Sequence, residues 1–335
     1  MTRLTGAVCS AFLLLGVVAC GDDSDEAAST TTAPTEDTTT SAADDEPALT
    51  QEAIDGFPAR EATFANLTYA VSTATITNQD LRSYAEGAEP EPGDTTHLVL
   101  GVSVENATAR QLESDPDAIR LELDGVELPV VDDFLSDVTG FIGANQTVDG
   151  FLAFEVDEDA DVDDATLVFG VAPDRPVRLP MTGAGPDSDL PLAVDATGSA
   201  EGTGTTNGGT LSFELVGATL FADLPHGDTT SPTGERADEG EVFVQLHVRV
   251  TKTEGRGNDL LTDDAFKLLV DDVARAPFDS ATAPEGSTST PTAEPGATVD
   301  AWVLFAVDAG AASYALQVGA ADDSPGTIPL DLPAV

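Results

Sequence analysis

The sequence predicts an all-β fold made of two tandem antiparallel β-sandwiches, on three observations. Apolar residues alternate with polar or small ones in run after run, the mark of half-buried strands. Clusters of Gly, Pro, Asp and Asn separate the runs at short intervals, and the series is written twice: TVDGFLAFEVDED begins at Thr147 and TVDAWVLFAVDAG at Thr298. The length of 335 residues suits two cores, because single cores stop growing near about 250 to 300 residues.

The N-terminus reads as a targeting segment. Arg3 supplies a positive start, GAVCSAFLLLGVVA is apolar but short for a membrane span, and Ala19 precedes Cys20 in VVACG. VVACG resembles the bacterial lipobox. That resemblance implies a lipoprotein signal peptide over residues 1–19, cleavage before Cys20, and lipidation of the Cys20 thiol, the natural nucleophile for alkylation. Two or three acyl chains suffice for stable anchoring where one does not. Cys9 leaves with the signal, so no thiol remains for a disulfide. Residues 20–59 are rich in Thr, Ala, Ser, Asp and Glu and poor in aromatics, a composition that cannot offset its ordering entropy and so predicts a disordered tether. Such a coil spans roughly 35 Å, and more when charged.

Strands follow. NLTYAV alternates Leu67, Tyr69 and Val71; HLVLGVSVEN alternates Leu98, Leu100, Val102 and Val104; AIRLELDG alternates Ile119, Leu121 and Leu123; VDGFLAFEV alternates Val148, Gly150, Leu152, Phe154 and Val156. An offset of 144 carries Leu67, Tyr69 and Val71 onto Leu211, Phe213 and Leu215, and Leu98 through Val104 onto Val242 through Val248. An offset of 147 carries Ile119, Leu121 and Leu123 onto Phe266, Leu268 and Val270. One of 151 carries Phe154 onto Phe305, and one of 149 carries Leu167 and Pro180 onto Leu316 and Pro329. Offsets change only between runs, as expected of loops that tolerate insertion between strands that do not. The copies span 60–182 and 209–333. Residues 183–208 read as a mobile linker, with LPLAV adding an edge strand to the first copy, and DDFLSDVTGFIG reads as holding a helical turn.

About 120 residues and about seven strands per copy suggest immunoglobulin-like sandwiches. The order VSVEN, IRLELDG and TVDGFLAFEV, followed again by LHVRVTK, FKLLVDD and PGATVDAWVLFAV, resembles the domain of unknown function found on secreted lipoproteins of Gram-positive, actinobacterial species. That domain is similar in fold to a secreted mycobacterial antigen. The resemblance implies the sandwich fold and an extracytoplasmic setting, and no activity. Lys252, where the first copy has Asn106, departs from the pattern.

Composition excludes several functions. With 61 Asp plus Glu against 13 Lys plus Arg and a formal net charge of -48, the surface repels phosphate backbones and anionic headgroups. Nucleic acid is therefore not an expected partner, and the membrane is one only through the lipid anchor. No metal or other cofactor is expected. DEDADVDDA, from Asp157, has Val162 and Val168 where a Ca²⁺ loop needs its glycine and bidentate glutamate, and His97, His226 and His247 never reach a ligand spacing. Ser103 lies in a strand outside any GxSxG elbow, and GTGTTNG lacks the strand-helix context and lysine of a phosphate loop. No catalytic residue is identified, so the chain is not expected to be an enzyme.

Phe151 and Trp302 have the parity opposite to core Phe154 and Phe305, which places them on outer sheet faces, where an aromatic can anchor a partner. The sequence therefore predicts a lipid-anchored, non-catalytic binding module on the outer side of the cell membrane, with an envelope or extracellular protein or glycan as partner. A structural stalk is the alternative, and an envelope hydrolase a weaker one.

Overall fold

The computed structural model describes residues 49–335 apart from 55–56, 132–135, 184, 187–189, 226–234, 279–290 and 321–324. Cys20, the signal segment, most of the tether, His226 and residues 132–135 of the expected helical turn lie outside the described residues.

The first copy contains β1 (Gln51–Ala53), β2 (Arg60–Phe64), β3 (Leu67–Gln79), a short helix α1 (Leu81–Glu86), β4 (Pro92–Asn106), β5 (Leu112–Ser114), β6 (Ile119–Leu123), β7 (Val126–Pro129), β8 (Gly140–Ile142), β9 (Gln146–Glu155), β10 (Thr166–Phe169) and β11 (Val177–Pro180). The second contains β12 (Leu192–Val194), β13 (Gly198–Thr203), β14 (Thr210–Phe221), β15 (Glu241–Lys252), β16 (Asp259–Leu260), β17 (Phe266–Val270), β18 (Val273–Arg275), β19 (Thr292–Ala293), β20 (Thr298–Asp308), β21 (Tyr314–Val318) and β22 (Gly326–Leu330).

Both copies are antiparallel sandwiches of one topology. A five-stranded sheet runs β1-β3-β4-β9 with β2 sharing the outer edge of β3, and its counterpart runs β12-β14-β15-β20 with β13 beside β14. The facing sheets run β11-β10-β6-β7 and β18-β17-β21-β22, and the small ribbons β5-β8 and β16-β19 complete the pair. Inward residues of the facing sheets form one core per copy, with Phe154 and Phe305 fully buried at matched positions. Tyr69 lies in the first core and donates its hydroxyl hydrogen to Ser114 Oγ at 3.0 Å; burial pushes its phenol up to about 12. Tight turns join β6 to β7 and β17 to β18. Asp124 and Gly125, like Asp271 and Asp272, take positive φ, the left-handed pair that matches the twist of a two-residue hairpin.

Pairing revises three expectations. β12 and β13 lie inside the expected linker and hydrogen-bond to β14, so 183–208 largely belongs to the second sandwich, and LPLAV adds its strand there and not to the first. β1 lies inside the expected tether, paired with β3 at Gln51 opposite Thr77. The third revision concerns β4. Leu98 faces Phe154 across the ladder while Val244 faces Phe305, so Leu98 corresponds to Val244 and not to Val242. Both copies carry a β-bulge at the same place, between Val71 and Thr73 and between Leu215 and Gly217, where an extra residue shifts the ladder.

The sandwiches touch each other end on, within one compact unit. Asp223 Oδ1 accepts the Ala65 N–H at 3.0 Å and pairs with the Arg236 guanidinium. Arg236 also donates to the Arg175 carbonyl and lies over the Phe64 ring at 5.0 Å. Backbone bonds from Arg175 to Ala237 and from Glu239 to Pro173 extend the contact. Phe64 belongs to the first copy alone. Its counterpart by pairing is Gly202, where a Cβ would lie 2.7 Å from the Val318 carbonyl and 3.0 Å from the Gly319 Cα.

Candidate functional site

The outward residues of the β14-β15-β20 sheet carry a contiguous row of side chains. Trp302, on the edge strand β20, pairs with His247 of β15, and their rings stack with centroids 4.1 Å apart and planes within 4°. His247 Nε2 is 2.8 Å from Asp300 Oδ1, Arg249 Nε is 3.9 Å from the same oxygen, and Arg249 Nη1 is 3.1 Å from Glu214 Oε2. Alternation produces the row, since the even-numbered partners on β15, Leu246, Val248 and Val250, all point into the core. Gly217 at the bulge pairs with His247 on its other side. The result is a half-buried aromatic pair with paired charges on one side and Gln245 and the buried Leu304 on the other.

Phe151 occupies the matching position on β9 but has different surroundings. Tyr84 of α1 meets its ring edge-on at 5.1 Å, and Leu81, Val99, Ala153 and Val131 complete a small apolar cluster. The strand neighbour of Phe151 is Gly101, so no ring stands opposite it as His247 does opposite Trp302. Two candidates of equal standing in sequence thus differ in their neighbours: both are half-buried on the terminal strands of their sheets, but Phe151 packs against helix α1 and Trp302 stacks on His247. Helix α1 escaped the sequence reading, though its signals are present. Asp80 accepts the Ser83 N–H at 3.0 Å as N-cap, and Gly87 ends the helix in the left-handed conformation.

Other motifs resolve into structural roles. In the acidic run, Asp161 Oδ1 accepts the Asp163 N–H at 3.1 Å and caps a 3₁₀ turn. Among the described residues no group of three or more His, Cys, Asp or Glu is arranged to hold a metal ion. His97 Nδ1 is buried with no hydrogen-bond partner among the described residues. Burial, opposed by Glu155 and Asp80, shifts this imidazole below its ordinary value.

The glycine-rich GTGTTNGG segment, expected in the linker, closes over a buried ion pair. Lys252 Nζ binds Asp259 Oδ2, with both side chains at 0% exposure, and Asp259 Oδ1 accepts the Asn207 N–H at 2.7 Å. Gly204 and Gly209 are required here: a Cβ would lie 2.5 Å from the Asp259 carboxyl at the first and 2.6 Å from the Glu254 carbonyl at the second. Burial acts to raise the Asp259 carboxyl. Lys252 and the N–H groups of Asn207 and Thr206 overcome it and hold the group below the ordinary carboxylate range.

Compared with protein-family models, with curated proteins and with solved structures, the chain matches none of them.

Proposed function

We propose that the chain is a non-catalytic binding module, held outside the cytoplasm by lipid on Cys20, that contacts an envelope or extracellular protein or glycan through the Trp302 face. One observation carries the reading: Trp302 and His247 form a parallel aromatic pair on the outer face of the β14-β15-β20 sheet, whereas the matching Phe151 meets Tyr84 of helix α1 edge-on. Large amphipathic aromatics contribute disproportionately at contact surfaces, by area and by low entropy loss. The surrounding acids and arginine are already paired, which suits a partner recognised by stacking and hydrogen bonding more than by charge. The lipobox resemblance and the acidic tether support the setting. So does the resemblance of the strand order to the secreted lipoprotein domain described above.

Trp302 is the sole tryptophan, so its fluorescence reports on this face alone. Titration with solubilised envelope fractions is expected to shift that emission. Trp302→Ala is expected to abolish crosslinking to the partner in intact cells while leaving thermal melting nearly unchanged, as for other surface substitutions. Retained crosslinking in that variant would remove the Trp302 face from the proposal. Cys20→Ala should move the protein from membrane to soluble fractions; persistence in the membrane would refute the anchor.

A further inference from the structure

We propose that the cleft between the β7 and β9 edges of the first sandwich binds a small organic cation with an aliphatic body. The cleft encloses about 630 Å³, within the range of ligand sites. Its walls are aliphatic, with Leu128, Val130 and Val156 among them, and its rim carries Asp124, Glu155 and Asp157. Among the described residues no Lys, Arg or His lines it, and none of these acids joins an ion pair.

The internal duplication supplies the comparison. Pairing matches Leu128 to Arg275, since Leu121 faces the former and Leu268 the latter. The chain register of β9 and β20 matches Asp157 to Asp308, three residues beyond Phe154 and Phe305. In the second sandwich these positions form an ion pair across the two sheet edges, with Arg275 Nη2 3.5 Å from Asp308 Oδ2. The first sandwich keeps the acid, replaces the arginine with leucine, and opens an apolar cleft beside it. An amine or guanidinium at the rim replaces the missing charge, and its alkyl body covers the leucine and valines. The net charge of -48 raises the local concentration of such cations.

The test uses the whole chain with hexylguanidinium as probe, followed by methyl resonances of Leu128, Val130 and Val156. Saturable shifts are expected at these methyls, with methylguanidinium and hexanol each binding about tenfold or more weakly because each lacks one half of the ligand. Asp157→Asn should weaken hexylguanidinium binding, and Leu128→Arg, which recreates the arrangement of the second sandwich, should abolish it. Absence of saturable shifts overturns the proposal, as does equal binding of hexanol, or full affinity in Asp157→Asn. Should Leu128→Arg fail to fold, Asp157→Asn and the two half-ligands still decide the matter.

Discussion

At Lys252 the two copies differ by a change of chemistry at one conserved place. Strand pairing matches Asn106 and Leu112 of the first copy to Lys252 and Asp259 of the second. Asn106 satisfies its own amide locally, donating to the Arg110 and Ile142 carbonyls at 2.6 and 3.0 Å; Lys252 needs Asp259. Removing one member of a buried pair strands the other, so Asp259→Ala is expected to destabilise by about 3 to 5 kcal/mol. The double change Lys252→Asn with Asp259→Leu should cost less than either single change in chemical denaturation. A double variant less stable than both would contradict the matched positions. The pair also sets a pH response. Because the folded Asp259 is held below its unfolded value, its contribution is complete above the unfolded carboxylate range and fades as pH falls through the lower folded value. Acid titration of Asp259→Ala should therefore be flatter than that of the parent. In the sequence Lys252 stood out because the first copy has Asn106 there; Asp259 did not, because the two-residue strand β16 is too short to show a periodicity that would betray burial.

At the level of the element, period-two patterning named the long strands and their inward residues. Phe154→Ala or Phe305→Ala should cost about 3 to 5 kcal/mol by opening a cavity in a filled core, measured as a shift in denaturation midpoint; an unchanged midpoint would mean these rings are not core. Parity tells which face a residue occupies but not which residue it faces. A slip of two residues preserves it, which is why Leu98 could be aligned with Val242 while the ladder matches it to Val244. The edge strand β12 was legible in LPLAV but was assigned to the wrong copy, and β13 was hidden for a related reason. Gly198, Ala200 and Gly202 alternate inward there without apolar bulk, so the strand carries a linker's composition. The Trp302 row was legible as a face; its partners were not, because His247 and Asp300 meet only once β15 and β20 are paired.

For the whole molecule, the contact between sandwiches was invisible in the sequence, since it depends on Arg236, Asp223 and the strand ends around Phe64, which share no pattern. Arg236 and Asp223 are largely buried, with side chains 3% and 13% exposed. Arg236→Ala should thus weaken the contact by on the order of 3 kcal/mol, because Asp223 loses its counter-charge. Calorimetry is expected to resolve two unfolding transitions in that variant where the parent gives one, and a single unaltered transition would mean that the contact carries no coupling. The contact is also directional. One sandwich contributes the ring and loop, the other the arginine and its acid, a head-to-tail arrangement of the kind that, repeated, grows into open filaments. Gly202 stands where the second sandwich would need its own phenylalanine, and the strand backbone around Val318 fills that space. The second sandwich thus offers no ring at this position for an arginine to cover, so the two sandwiches present unlike ends.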